Sequence, residues 1–242
     1  MTYDPAHSQP VPTQGSQPCC GDDIAAPLVI DRLQHPVFDE AFQAQLESLL
    51  SWRRDVRHFR RDPLPTGTIE SLIATASLAP SVGNAQPWRF VNVISPASRR
   101  ALASHVDAAS ERAAQAYDPT RACAYRALKL HGLREAPAIL VVFSDEIPTA
   151  GHSLGIATMP EMLRYSTIMA IHTLWLAARA RGIGLGWVSI VEPHKVSALL
   201  DVPSQWSLIA VLCLGYPEHA STSPELEKNG WQSRLPVVMV ER

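Results

Sequence analysis

The spacing of apolar residues along the chain predicts several helices separated by short strands. In residues 165–181, for example, Ile168, Ile171, Leu174 and Trp175 recur at helical spacing and give one apolar face. Continuous apolar runs are instead typical of buried strands. The helices are predicted from residue 38 to the arginines near 53, over 68–78, over 97–133 with a break near 118–119, and over 165–181 and 192–200. The strands are predicted over 88–94, 138–143, 187–191 and 207–214.

Helices and a few strands in mixed order predict an α+β layered domain, with a mixed central sheet flanked by helices. Residues 1–36 differ, because they contain six of the 20 prolines, and Gln, Ser and Gly fill much of the rest. A segment of this composition cannot bury enough apolar surface to order itself. We therefore expect a flexible N-terminal tail over residues 1–36 and a single domain over 37–242.

Composition and charge exclude several classes of function. The net charge of −2 lacks the basic footprint of a nucleic-acid-binding protein, and no apolar run is long enough for a membrane span. Four cysteines without a C-x-x-C pair and nine scattered histidines predict no metal site. The N-terminus has no basic region followed by an apolar one, so we expect no secretory signal and a cytoplasmic protein.

An arginine-rich segment after the first predicted helix is the strongest candidate for ligand binding. Arg53, Arg54 and Arg57 stand close together, and guanidinium groups suit the bidentate grip of a phosphate. A solvated basic surface is the simpler alternative. Asp55 weakens that alternative, because an acid among arginines should stay ionised and be held in position. It could be a salt-bridge partner or a positioned base.

Two further segments carry polar side chains beside predicted strands. Ser81, Asn84 and Gln86 lie on a turn before the strand that begins at Trp88, where they could hydrogen-bond a flat heterocycle. Ser189 lies in an otherwise apolar predicted strand, so its hydroxyl needs a partner. An ordinary polar turn and a bond to nearby backbone are the respective alternatives.

The glycines at 182–186 resemble a dinucleotide-binding loop, but the order of elements is wrong. A Rossmann loop follows a strand and opens a helix, whereas this segment follows a predicted helix and precedes a predicted strand. We interpret these glycines as the end of a helix followed by close backbone packing.

Four motifs together resemble the nitroreductase-like flavoprotein superfamily. They are Arg-Arg-x-x-Arg-x-Phe at 53–59, Pro-Ser-x-x-Asn-x-Gln-Pro-Trp at 80–88, Gly-x-Gly-x-Gly-Trp at 182–187 and Arg-Leu-Pro at 234–236. Within that superfamily, Arg-Arg-Asp-Val-Arg at 53–57 and Gly-Trp-Gln-Ser-Arg-Leu-Pro at 230–236 most resemble the BluB family, the 5,6-dimethylbenzimidazole synthases. The resemblance covers roughly residues 38–240, and such dispersed agreement is more specific than one motif.

The resemblance implies an obligate homodimer with FMN bound at the subunit interface. It implies that FMN is a substrate: its reduced form reacts with O2 and is fragmented to 5,6-dimethylbenzimidazole, the lower ligand of cobalamin (vitamin B12), and erythrose 4-phosphate. A separate flavin reductase would supply the reduced FMN. The alternatives are an NAD(P)H-dependent nitroreductase or corrinoid reductase on the same fold, and a non-catalytic flavin-binding protein.

The same resemblance assigns roles to individual residues. Asp55 and Ser189 would be catalytic, with Asp55 moving protons during the fragmentation and Ser189 steering an intermediate by hydrogen bonding. Residues 117–130 would correspond to a lid. The phosphate would be contacted by Arg53, Arg57 and Arg234, the ribityl chain and ring by Arg54, Ser81, Asn84 and Gln86, and the flavin would lie beside Asp55, Val56, Gly186, Trp187 and Val188.

Overall fold

Helices and strands are interspersed along residues 36–242, which are the residues that the computed structural model describes. The predicted N-terminal tail lies outside the described residues except for Pro36. The helices are α1 (Glu40–Trp52), α2 (Thr68–Ala76), α3 (Pro96–Ala114), α4 (Pro119–Ala127), α5 (Met162–Ala180), α6 (Pro193–Leu200) and α7 (Glu225–Lys228), and the strands are β1 (Trp88–Asn92), β2 (Ala138–Asp145), β3 (Gly184–Val188) and β4 (Trp206–Gly215).

The four strands form one sheet in the order β1-β2-β4-β3, and each neighbouring pair is antiparallel. The predicted mixed sheet is therefore wrong for these strands. The parallel pairing among the described residues is a single bridge between Asp55 and Leu185. The order of helices and strands could not reveal this, because a connection that contains a helix can return a strand in either direction.

Helices cover both faces of the sheet, as the layered α+β prediction requires. On one face Val141 of β2 belongs to a core that includes Leu102 of α3. The next residue back along the strand, Leu140, lies in the opposite core with Leu72 of α2 and Leu174 of α5. This alternation is the ordinary pleat of a strand buried on both sides. Among residues 36–242, no helix combines the length and apolar character needed to cross a membrane.

The helix breaks fall where the sequence predicts them. The side chain of Asp118 accepts hydrogen bonds from the backbone N–H groups of Thr120 and Arg121, and Pro119 occupies the first turn of α4. Gly182 has a φ of 72° just after α5, the left-handed conformation that commonly ends a helix. These local signals separate α3 from α4 and α5 from β3.

β3 begins three residues earlier than predicted. The predicted strand covers residues 187–191, whereas the observed strand includes two of the glycines that were interpreted as packing residues. The chain leaves the sheet after Val188 to reach α6, which has Pro193 in its first turn. Ser189 is therefore not within a strand as predicted; it follows β3 and is exposed to solvent.

Candidate active site

The arginine segment after α1 runs along β3, at the edge of the sheet. The backbone N–H of Val56 donates to the carbonyl oxygen of Leu185 at 3.0 Å. A β carbon at Gly186 would overlap the carbonyl oxygen of Val56, and one at Gly184 would lie 2.8 Å from a methyl group of the same residue. Glycine at both positions allows this close approach. The segment at residues 53–57 is thus fixed on the sheet through Val56.

Two donors hold the carboxylate of Asp55. Its Oδ1 accepts the backbone N–H of Trp187 at 2.8 Å, and its Oδ2 accepts Nε of Arg57 at 2.8 Å. Arg57 is fixed in turn, because its Nη1 donates to the carbonyl oxygen of Lys129 at 3.1 Å. The side chain of Asp55 remains 30% exposed. The salt bridge considered from the sequence is present, and the carboxylate keeps a face that a substrate could reach.

Positive charge is concentrated next to this acid. Arg54 donates through Nε to the carbonyl oxygen of Thr222 at 2.6 Å and through Nη1 to that of Arg53 at 2.7 Å. Desolvation by partial burial, followed by the charges of Arg53 and Arg234, lowers the pKa of Arg54. The guanidinium of Arg53 also lies 4.9 Å from the ring centroid of Trp175. A phosphate dianion would offset the repulsion among these arginines.

A cleft opens along the arginine segment, between the end of α1, the second half of α5, β3 and the chain that follows β4. Arg54, Asp55, Val56 and Arg57 all line it, together with Trp175. The structure therefore brings four of the predicted site residues to one cleft. Trp175 was not recognisable as a site residue from the sequence, because its spacing predicted only a position on the apolar face of a helix.

The predicted polar residues Ser81, Asn84 and Gln86 lie outside the arginine cleft, on a loop bonded to α5. Ser81 Oγ accepts the backbone N–H of Gln86 at 3.1 Å, and Gln86 Nε2 lies 3.3 Å from Asn84 Oδ1. Asn84 and Gln86 are exposed and have positive φ values of 55° and 47°. The loop is tied to α5, because the N–H of Val82 donates to Ser166 Oγ at 3.0 Å. None of its three predicted site residues lines the arginine cleft.

Helix α5 keeps these two groups apart. Ser166, which contacts the loop, and Trp175, which lies under Arg53, are nine residues apart on this helix. At 1.5 Å per residue the two contacts are separated by about 14 Å of helix rise. Among residues 36–242 of one chain, the cleft that Arg54 and Arg57 line does not include the loop.

Residues 50–216 match the model of the nitroreductase family. The chain belongs to the nitroreductase family. It is 54% identical over 207 residues to the 5,6-dimethylbenzimidazole synthase of Rhodospirillum rubrum, covering 86% of this chain and 98% of that protein. A 5,6-dimethylbenzimidazole synthase of Rhodobacter capsulatus is 49% identical over 199 residues, covering 82% and 96%. The resemblance to these synthases is thereby confirmed.

A solved structure extends the comparison to the fold. Oxidised iodotyrosine deiodinase bound to FMN and 3-iodo-L-tyrosine matches with a TM-score of 0.66 at 23% identity, covering 81% of this chain and 98% of that chain. At this identity the match shows a shared fold. The nitroreductase-like α+β architecture expected from the motifs is therefore confirmed.

The remaining predicted site residues of this family member lie around the same edge of the sheet or beyond it. Gly186 and Val188 are buried in β3, and Trp187 is half-buried. Arg234 is exposed in the chain that follows α7. Within residues 36–242, no group of three or more His, Cys, Asp or Glu side chains could hold a metal ion.

Proposed function

We propose that this chain is a 5,6-dimethylbenzimidazole synthase, which uses O2 to fragment reduced FMN into 5,6-dimethylbenzimidazole and erythrose 4-phosphate. The benzimidazole would become the lower ligand of cobalamin. The observation that carries the proposal is Asp55, a carboxylate fixed by Trp187 and Arg57 on the wall of a cleft rich in arginine. The identity of 54% to a synthase that matches along 98% of its own length supports it.

Arginines in and beside the cleft fit the phosphate of FMN; of the three named next, Arg54 lines the cleft itself. Arg53, Arg54 and Arg234 form the positive cluster, and mutual repulsion contributes to the lowered pKa of Arg54. These three would grip the phosphate. Arg57 is already engaged by Asp55 and by the carbonyl of Lys129, so its first role would be to position the acid. Reduced FMN, when bound, supplies the electrons for O2 and the ring that becomes the product.

Asp55 would move a proton at C1′ of the ribityl chain. The N–H of Trp187 and the guanidinium of Arg57 hold the carboxylate in place, and a carboxylate is a group that can accept a proton from a substrate carbon. Ser189 follows the end of β3, two residues after Trp187, and is exposed. From there its hydroxyl would donate a hydrogen bond to an oxygen of the reacting molecule.

A second copy of the chain would complete the site. Ser81, Asn84 and Gln86 belong to the implied FMN site but stand apart from the arginines along α5. A two-fold symmetric homodimer could place the loop of one chain beside the arginines of its partner. Apolar side chains are available for such an interface, because α1 contains no buried residue and several of its side chains and those of α5 are at least 40% exposed, including Leu46, Leu50, Tyr165 and Ile168.

The decisive experiment mixes the protein with reduced FMN and air. We expect loss of flavin absorbance and formation of 5,6-dimethylbenzimidazole, resolved by chromatography, with an anaerobic reaction and a protein-free reaction as controls. Because the protein consumes reduced FMN without making it, a separate flavin reductase should sustain turnover. Rapid consumption of NAD(P)H with recovery of oxidised FMN would instead identify a reductase. Tight binding without loss of flavin or nicotinamide would identify a non-catalytic carrier.

A further inference from the structure

The C-terminal part of the chain is held at Trp231, by its side chain and by the backbone N–H groups of Trp231 and Gln232, which donate to the carbonyl oxygen of Leu226 at 2.8 Å and 3.5 Å. Among residues 227–242, every residue except Trp231 is exposed. Arg234, one of the arginines of the positive cluster, lies in this exposed stretch, which has no helix or strand after α7. Its position therefore depends on whatever holds the chain around it.

Trp231 is held by α4 and the turn before it. Its ring centroid lies 5.7 Å from that of Tyr117, with the planes at 87°, and 6.0 Å from that of Tyr125. The guanidinium of Arg121 lies 4.2 Å from the Trp231 ring centroid. Edge-to-face aromatic pairs and cation–π contacts are both stabilising, so these three side chains hold the indole of Trp231 in one position.

Trp231 is close enough to Arg234 in the chain to restrict the position of the arginine. Three residues of extended chain span at most about 11 Å, so fixing the tryptophan confines the arginine to a small volume. The charge of Arg234 reaches Arg54, whose pKa is lowered first by desolvation and then by Arg53 and Arg234. Without the indole, the backbone hydrogen bonds to Leu226 would hold residues 231 and 232 alone. The segment would then sample more conformations, and Arg234 would spend less time in the cluster.

We propose that Trp231 is a positioning residue, which packs against α4 and thereby holds Arg234 beside Arg53 and Arg54 to grip the phosphate of FMN. The inference rests on the FMN binding of the proposed function. It assigns Trp231 no contact with the flavin; the tryptophan acts through Arg234 alone.

Binding of oxidised FMN and of riboflavin, which lacks the phosphate, separates this role from a merely structural one. We expect Trp231→Ala to weaken FMN binding about tenfold or more, as loss of one charge-assisted contact would, and to change riboflavin binding less than about twofold. Arg234→Ala should behave in the same way. The double variant should bind FMN no more weakly than Arg234→Ala, because both changes remove the same contact.

Three further variants serve as controls for misfolding and for nonspecific effects. Trp231→Phe should restore most of the FMN affinity, since a smaller ring can still pack against the two tyrosines. Arg121→Ala, at an exposed position, carries little risk of misfolding and should weaken FMN binding about two- to threefold through loss of the cation–π contact. Gln232→Ala is the matched control, because this exposed neighbour donates its side-chain amide only to the carbonyl of Ser233 and should leave both affinities unchanged.

The outcomes distinguish this inference from the proposed function. Additive losses in the double variant, or equal losses for FMN and riboflavin in Trp231→Ala, would overturn the positioning role and leave the synthase proposal intact. The function alone would be overturned if the wild-type protein binds FMN, the variants lose FMN affinity non-additively, and the wild-type protein still forms no 5,6-dimethylbenzimidazole. Absence of binding of both oxidised and reduced FMN by the wild-type protein would overturn both.

Discussion

The arginine segment at residues 53–57 is fixed on the sheet, whereas the loop at residues 81–86 is fixed on α5 and presents its polar side chains to solvent. Backbone and side-chain hydrogen bonds to β3 hold Val56 and Asp55. Asn84 and Gln86 instead have positive φ values and are exposed. Under the proposed function, one chain would carry a prebuilt half of the site, which holds the acid, and a second half that a partner chain would have to face.

Replacing Asp55 should have the largest effect on activity. The effect should fall on the rate of the reaction and not on FMN binding. Asp55→Asn keeps an oxygen for the N–H of Trp187 but loses the group that accepts a proton. We expect formation of 5,6-dimethylbenzimidazole to fall by about 10²- to 10⁴-fold in single-turnover reactions. FMN affinity should change only a few-fold, because the arginines remain.

A surface pair provides the control for that variant. Asp62 is exposed and accepts from Nε of Arg60 at 2.8 Å, so Asp62→Asn also breaks an arginine–aspartate pair but one outside the cleft. Its activity should match that of the wild-type protein. Normal synthesis by Asp55→Asn would refute the catalytic role of the acid.

Mixing two defective chains tests whether the two regions meet across a dimer. Arg54→Ala damages the segment on the sheet, and Asn84→Ala combined with Gln86→Ala damages the loop. Each protein alone should lose about tenfold or more of its activity. After joint refolding, each heterodimer would contain one site with both halves intact, so activity should recover to about a quarter of the wild-type value. Lack of recovery would show that each chain builds its own site.

Adding a methyl group to β3 beneath Val56 should push the arginine segment away from the sheet. In Gly186→Ala the new carbon would meet the rigid carbonyl of Val56, whereas in Gly184→Ala it would meet a side-chain methyl of that residue, which can move. We expect Gly186→Ala to lower the free energy of unfolding by about 3 kcal/mol and Gly184→Ala by about 1 kcal/mol, measured by chemical denaturation. Equal stability of the two variants would contradict the close packing of this segment on β3.

The two regions also mark how far the sequence could predict the site. The arginines and Asp55 were recognisable because their charges are neighbours in the chain, and the loop was recognisable because turn residues act locally. The packing role of the glycines could be anticipated, but their partner could not. Asp55 and Trp187 are 132 positions apart, and no local signal indicates that this acid caps the backbone of β3.

The same limit explains the errors in the sheet. β2 and β4 were predicted because their buried residues form continuous apolar runs. The start of β3 was missed because Gly184 and Gly186 have poor strand propensity and are placed in the strand by long-range packing against Val56. Strand direction was missed for a similar reason, since it depends on how connections cross the molecule.

Replacing Ser189 should have the smallest effect on activity of these variants. The serine follows β3, the strand that supports the arginine segment. The serine is exposed and follows β3, so its removal should not disturb packing. We expect Ser189→Ala to change the free energy of unfolding by less than about 0.5 kcal/mol and FMN affinity by less than about twofold. The rate of 5,6-dimethylbenzimidazole formation should fall about tenfold, as expected for one lost hydrogen bond to a reacting group. Ser204→Ala, at another exposed serine, before β4, is the control and should retain the full rate. An unchanged rate in Ser189→Ala would rule out a catalytic role for this serine and leave the chemistry to Asp55 in the arginine segment.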